Sequence, residues 1–358
     1  MRRSSLARVH QVAAVLTLTS LLAIPKAASA QGCAPIRFSN PSLGGQGESY
    51  QEAHQWRLTV GYRNLHSNQW IILGSSQPHN ELGPGGSPPI IGIQTVVAEV
   101  AYAVTGRFTL RLGVPFSTGS LTRVWPDSAS HRESATGLGD VNLVGEAWLL
   151  DPRANPKGNI ALGLGVKAPT GSNHVRGLFY TANNPGVPFP VNLAIQLGDG
   201  GWGIILEAQA FRQVFDRAFI YSSGSYMFSP RAQSNVRTTP TSSLFWSVPD
   251  VYSGRVGLAY TVWPDQGLSI SLGGRIDGEP VHDVIGGDGT ARRPGYVIYA
   301  DPGLALTRGR DNLTLSVPLR LRAWKQRSVA EYQAQTPPAQ VGGGYAKFLI
   351  FAAYSHRF

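Results

Sequence analysis

The chain closes on Phe348-Leu-Ile-Phe-Ala-Ala-Tyr-Ser-His-Arg-Phe358, and this stretch decides how the rest is read. Phe348, Ile350, Ala352, Tyr354 and Phe358 fall on one side of a two-residue repeat, with an aromatic residue at the extreme C-terminus. That is the form of a closing strand in an outer-membrane β-barrel, whose outer face meets lipid. His356 breaks the apolar series at the penultimate outward position. Alone, the peptide also fits the C-terminal edge strand of a soluble β-protein.

The other end of the chain favours export. Arg2, Arg3 and Arg8 precede an apolar run, residues 12–24, that closes on Ala28-Ser29-Ala30. This reads as a cleavable signal peptide over residues 1–30, with an h-region too short to span a bilayer. Residues 31–53 then form an N-terminal periplasmic segment and residues 54–358 the barrel. Cys33 is the only cysteine, so no intramolecular disulfide can form. Ala30-Gln31-Gly32 before it lacks the large aliphatic residue of a lipidation site. Residues 31–53 carry Ile36, Phe38 and Leu43 among Pro, Gly and Ser, and fit either a plug folded into the lumen or a loose tail.

Between these ends no segment keeps a 3.6-residue apolar repeat, and no mature stretch approaches the length of a membrane helix. The 42 Gly, 25 Pro, 13 Tyr and 8 Trp suit many strands with tight turns and interfacial aromatics. Strands of alternating character recur along the chain. Phe108, Leu110, Leu112, Val114 and Phe116 interleave with Arg107, Thr109, Arg111 and Gly113; Leu313, Leu315, Val317, Leu319 and Leu321 interleave with Thr314, Ser316, Arg320 and Arg322. Sandwich strands need only about five or six residues each, whereas these run longer and place Arg, Lys, Asn and small residues on the second face.

The connections alternate in length. Short turns fall at residues 105–106, 151–158, 215–217, 264–267 and 308–312, and long Gly/Pro/Ser/Asn-rich connections at 67–92, 118–137, 170–200, 230–249, 279–294 and 326–343. This spacing predicts an all-β, antiparallel, up-and-down transmembrane barrel of about 12 strands, with short periplasmic turns and long extracellular loops. Pro115, Pro302 and Pro318 must sit at bulges or strand ends, since they cannot donate to a ladder. In residues 218–229 the set Phe219, Tyr221, Met227 competes with Ile220, Tyr226, Phe228 for the outward face.

Gly137-Leu-Gly-Asp-Val-Asn-Leu143 and Gly165-Val-Lys-Ala-Pro-Thr-Gly171 resemble the strand-opening and strand-ending motifs of outer-membrane proteins grouped with the meta-pathway of phenol degradation. Ala168 stands where that family has a larger aliphatic residue. The resemblance implies a barrel that passes hydrophobic or aromatic small molecules. As read from the sequence, neither string carries chemistry; each marks where a strand enters or leaves the membrane.

If the apolar set meets lipid, the opposite set lines the lumen: Arg57, Arg63, Arg107, Arg111, Glu146, Lys167, Glu207, Arg255, Arg275, Arg320, Arg322 and Lys347. Glu99, Asp140, Asp277 and Asp301 fall there too. Without the signal segment, Lys and Arg number 27 against 21 Asp and Glu. An Arg-rich wall of this kind favours anions. Equally, Arg111 with Glu146 and Arg275 with Asp301 could form a salt-bridged filling that conducts little.

No nucleophile elbow, zinc-type His pair or phosphate loop occurs, so neither an enzyme nor a cofactor or metal protein is expected. His282, Asp283, Asp288, Arg292 and Arg293 gather in one extracellular loop, either as a site for a cation, a lipopolysaccharide phosphate or a carboxylate, or as a solvated loop held by internal ion pairs. The sequence thus predicts a channel for passive uptake of small molecules, aromatic, hydrophobic or anionic, or else a structural barrel with a filled lumen. Expected partners are outer-membrane lipids, lipopolysaccharide and the assembly machinery that reads the strand ending in Phe358, with no nucleic acid.

Overall fold

The computed structural model describes residues 50–72, 89–289, 291–333 and 342–358. The signal-peptide reading, Cys33 and residues 31–49 of the N-terminal segment lie outside them. The strands are β1 (Trp56–Ser67), β2 (Ile90–Ala103), β3 (Phe108–Val124), β4 in two pieces (Ser130–Leu138 and Val141–Trp148), β5 (Gly158–Ala168) and β6 (Gly203–Phe215). They continue as β7 (Ala218–Phe228), β8 (Val251–Trp263), β9 (Leu268–Glu279), β10 (Gly295–Arg308), β11 in two pieces (Asp311–Ser316 and Leu319–Lys325) and β12 (Leu349–Arg357). Each pairs antiparallel with the next, and β12 returns to β1 in a ladder from Arg57 opposite Arg357 to Leu65 opposite Leu349, which closes a 12-strand barrel.

Polarity is inverted relative to a soluble sandwich. Leu164 is 62% and Leu272 64% exposed on the outer face, whereas Lys167 and Asp301 are fully buried inside. An apolar belt this continuous needs lipid against it, so the barrel spans a membrane and the edge-strand reading of the C-terminus falls away. His356 is accommodated on that face because its Nδ1 and the Tyr354 hydroxyl both reach Asp311, at 2.8 and 2.6 Å. In β7 the competition is resolved with Phe219, Tyr221 and Met227 inward and Ile220 outward.

All the short connections share one rim with both chain ends. There Gly267 adopts a left-handed φ of 68°, and a Cβ at that position would meet the Thr307 carbonyl oxygen at 1.8 Å. At the other rim, residues 118–137 are largely strand rather than loop. Thr118 and Thr136 hydroxyls bond across at 2.8 Å, and β3 and the first piece of β4 rise together to a turn at 125–129.

Both broken strands are broken opposite a proline. Pro115 of β3 has no N–H to offer, and β4 parts there at Gly139–Asp140, where the Gly139 N–H donates to the Pro115 carbonyl at 2.8 Å. Pro302 of β10 faces the break in β11 at Val317–Pro318, with the Val317 N–H on the Pro302 carbonyl at 3.1 Å. Among the described residues, the first piece of β4 pairs only with β3.

Candidate functional site: the lumen

At the short-turn end the lumen is aromatic. Tyr50, just ahead of β1, sets its ring 4.9 Å from Trp148 and 5.8 Å from Phe211, and its hydroxyl donates to the Asn155 carbonyl at 2.9 Å. Phe219 and Tyr221 extend the same cluster.

Above it the wall is charged on both sides. Arg111 of β3 gathers Glu99 and Glu146, each at 3.5 Å, and Glu207, all on inward positions of β2, β4 and β6. Gln209 donates to Glu146 at 2.9 Å, and the charge of Arg57 acts on the same carboxylate. Across the barrel Arg255 holds Asp301 at 2.7 Å and Arg275 holds Asp277 at 2.8 Å. Arg275 therefore does not take Asp301, as its position suggested; it turns along its own strand and lays its guanidinium 4.5 Å from the Phe351 ring centroid.

In the long-loop half, the two motif strings interlock. Buried Lys167 meets Asp140 at 3.2 Å and also Asp199, which the loop after β5 brings in. Asp140 accepts the Gly171 N–H, while Thr170 donates to the Gly139 carbonyl and accepts the Val141 N–H, all at 2.9 Å. The strings do more than mark strand ends: they clamp the break in β4 to the end of β5. The same loop folds a single turn, Leu193–Ile195, into the lumen, where Ile195 and Leu197 line a small cavity of about 30 Å³. Its walls combine Leu65, Ile93 and Pro115 with Arg63 and the Thr95–Ser117 hydroxyl pair, 2.9 Å apart. Beside it Arg320 donates to the Tyr345 carbonyl at 2.9 Å and to the Gln69 amide oxygen, holding Tyr345 and Ala346 fully buried inside the barrel.

Three residues expected in the lumen are elsewhere. Arg107 is exposed at the short-turn rim and caps the Trp148 and Leu149 carbonyls. Arg322 faces outward because the pairing with β10 slips between Ile298 and Tyr299, leaving Leu321 unpaired and reversing the inside–outside parity beyond it; its guanidinium lies 5.1 Å from the Trp324 ring. Lys347 is exposed ahead of β12, where the strand alternation has not begun. Meanwhile Asp199, Glu279 and Lys325 join the interior. The described charges of the wall are thus matched acid for base, and the premise of an excess positive lumen does not hold.

The loop after β9 is built around Arg292, whose buried guanidinium pairs with buried Asp283 and bonds the Ser247 hydroxyl at 2.8 Å. Burial pushes the Asp283 carboxyl up, against the pull of Arg292. Exposed His282 holds Asp288 at 2.9 Å, and Arg293 lies 5.1 Å from the Trp246 ring. These contacts are a loop core, and no group of metal-ligating side chains occurs among the described residues. Strand periodicity could not reveal Asp199, Ile195 or Tyr345, because all three reach the lumen from connections.

No protein-family model matches the chain, and no curated protein is detectably similar to it. Among solved structures, an outer-membrane channel from Pseudomonas putida F1 is similar over 87% of this chain and 98% of its own, at 15% identity and a TM-score of 0.57. A FadL homologue from Pseudomonas aeruginosa (11% identity, TM-score 0.39, 93% and 98% covered) and the toluene transporter TodX of Pseudomonas putida (10%, 0.42, 92% and 96%) also align. The likeness to the Pseudomonas putida F1 channel, at 15% identity, supports the barrel fold.

Proposed function

We propose that the protein is an outer-membrane channel for passive uptake of small aromatic or otherwise hydrophobic molecules, with its long loops on the cell surface. The observation that carries this is the lumen itself: an aromatic cluster at the periplasmic mouth and, higher up, apolar side chains of the wall and of an inward-folded loop, Leu65, Ile93, Pro115, Ile195 and Leu197, around a small cavity with fixed polar groups. Predominantly apolar cavities with sparse polar groups bind small organic molecules rather than hydrated ions. The neighbours named as an outer-membrane channel and a toluene transporter fit this reading, and the two motif strings extend it to phenolic compounds of a meta-cleavage route. The matched charges speak against a general anion pore.

A second reading, a structural barrel with a filled lumen, is favoured by the complete burial of Tyr345 and Ala346 inside the wall. Refolding residues 31–358 into liposomes that enclose an aromatic-responsive dye separates the two. Entry of toluene or phenol faster than into protein-free vesicles, with little KCl conductance, is the expected result. A correctly folded barrel that accelerates neither solute would leave the structural reading.

A further inference from the structure

The short-turn half of the lumen contains buried hydrogen-bonding groups that meet no partner outside their own cluster. Both terminal nitrogens of Arg255, the Tyr221 hydroxyl and the Ser271 hydroxyl are buried, and the only groups within their reach are one another. Arg255 is only 7% exposed, and its one bonded nitrogen, Nε, is committed to Asp301. Buried polar groups left unmet cost about 1–3 kcal/mol each, more when charged, so orphans clustered together mark a place where something else supplies the acceptor.

These groups form one patch. They lie on the adjacent strands β7, β8 and β9, with the Tyr221 hydroxyl in hydrogen-bonding reach of Ser271 and Arg255 and in the field of Asp301. Tyr221 runs across Gly257 and Gly273, where a Cβ would come within 2.6 and 2.8 Å of its hydroxyl. The Arg255 guanidinium carbon is 5.9 Å from the Tyr221 ring centroid. Tyr221 also belongs to the aromatic cluster with Phe211, Phe219 and Trp148. A forked donor pair beside two hydroxyls, next to aromatic faces, matches a planar oxyanion attached to a ring.

We propose that Arg255, Tyr221 and Ser271 form a binding site for a small aromatic carboxylate, with the carboxylate on the Arg255 terminal nitrogens and the two hydroxyls and the ring against the aromatic cluster. Tyr221, packed across the two glycines, is one wall of the site. The inference rests on the channel reading for the route by which the ligand arrives, but binding is measured without transport.

The test is titration of the detergent-purified, folded barrel with sodium benzoate, followed calorimetrically, and crystals soaked in 4-bromobenzoate. Saturable binding is expected, weakened at least tenfold in Arg255→Gln and several-fold in Tyr221→Phe, unchanged in Arg322→Gln, with bromine density in the aromatic cluster. Benzoate binding that Arg255→Gln leaves intact, the absence of saturable binding to a folded barrel, or only ordered water on Arg255 would each overturn the site. Liposomes that still admit toluene in those cases would leave the channel standing without it.

Discussion

Asp140 links two distant pieces of chain through one carboxylate, accepting from buried Lys167 at 3.2 Å and from the Gly171 N–H at 2.9 Å. Removing one partner of a buried pair typically costs about 3–5 kcal/mol, because the other charge is stranded. Asp140→Asn should lower unfolding stability by that order. Lys167→Met should cost more, since Asp140 and Asp199 would then face one another unneutralised. Guanidinium unfolding in detergent, read by tryptophan fluorescence, checks both; equal, small effects would mean that water already screens the cluster. Glycines give a second contrast. A Cβ on Gly165 would meet the Leu143 carbonyl at 2.5 Å and Val144 Cγ2 at 2.6 Å, whereas Gly274 has nothing within 4 Å. Gly165→Ala should destabilise by about 1–3 kcal/mol, and Gly274→Ala should be neutral or slightly stabilising in the same assay. The strings around Asp140 and Lys167 were visible in the sequence as strand borders. Their mutual contact was not, since it is made at the break in β4 at Gly139–Asp140, and neither was Asp199, a loop residue that no periodicity brings to the lumen.

The strands show why two-residue alternation reads so much and then fails locally. Outward rows such as Phe108, Leu110, Leu112 and Phe116 were legible because lipid imposes one rule along a whole strand. Pro115 and Pro302 were legible as irregularities, though not as the cause of breaks in their neighbours, since a missing N–H acts on the partner strand. Leu319-Arg-Leu-Arg322 reads as unbroken alternation, yet a bulge set by the pairing with β10 turns Arg322 to the outside. Arg322→Leu is accordingly expected to change stability by less than about 1 kcal/mol near the interface and to leave solute entry untouched. Arg320→Leu should release Tyr345 and Gln69 and raise the rate of dye quenching by toluene in loaded liposomes. If Arg322→Leu altered permeation and Arg320→Leu did not, the outward placement would be wrong.

For the molecule as a whole, twelve strands and their connections leave a narrow lumen in which side chains from the wall and loops meet. The mouth at the chain ends is narrowed by Tyr50 against Trp148 and Phe211. Tyr50→Ala should widen that passage and increase aromatic entry or small-ion conductance at unchanged thermal stability, recorded in planar bilayers beside the parent protein. No change in either current or flux would place the limiting constriction under Ile195 instead. Strand number was readable because it follows from membrane thickness and turn chemistry, whereas the expected loop at 118–137 continues as paired strand. How full the lumen is was not readable, because it depends on loops that fold back inside.

The ladder between β1 and β12 joins Arg57 to Arg357 and Leu65 to Leu349, the most distant strands in the chain. Closure therefore waits for the last residues to arrive, and until then both end strands present unsatisfied backbone edges. A chain lacking its final strand would be an open sheet rather than a smaller barrel, prone to pair with other chains. Assembly is consequently a race between seam formation and aggregation, decided by whatever shelters β1 until β12 reaches it.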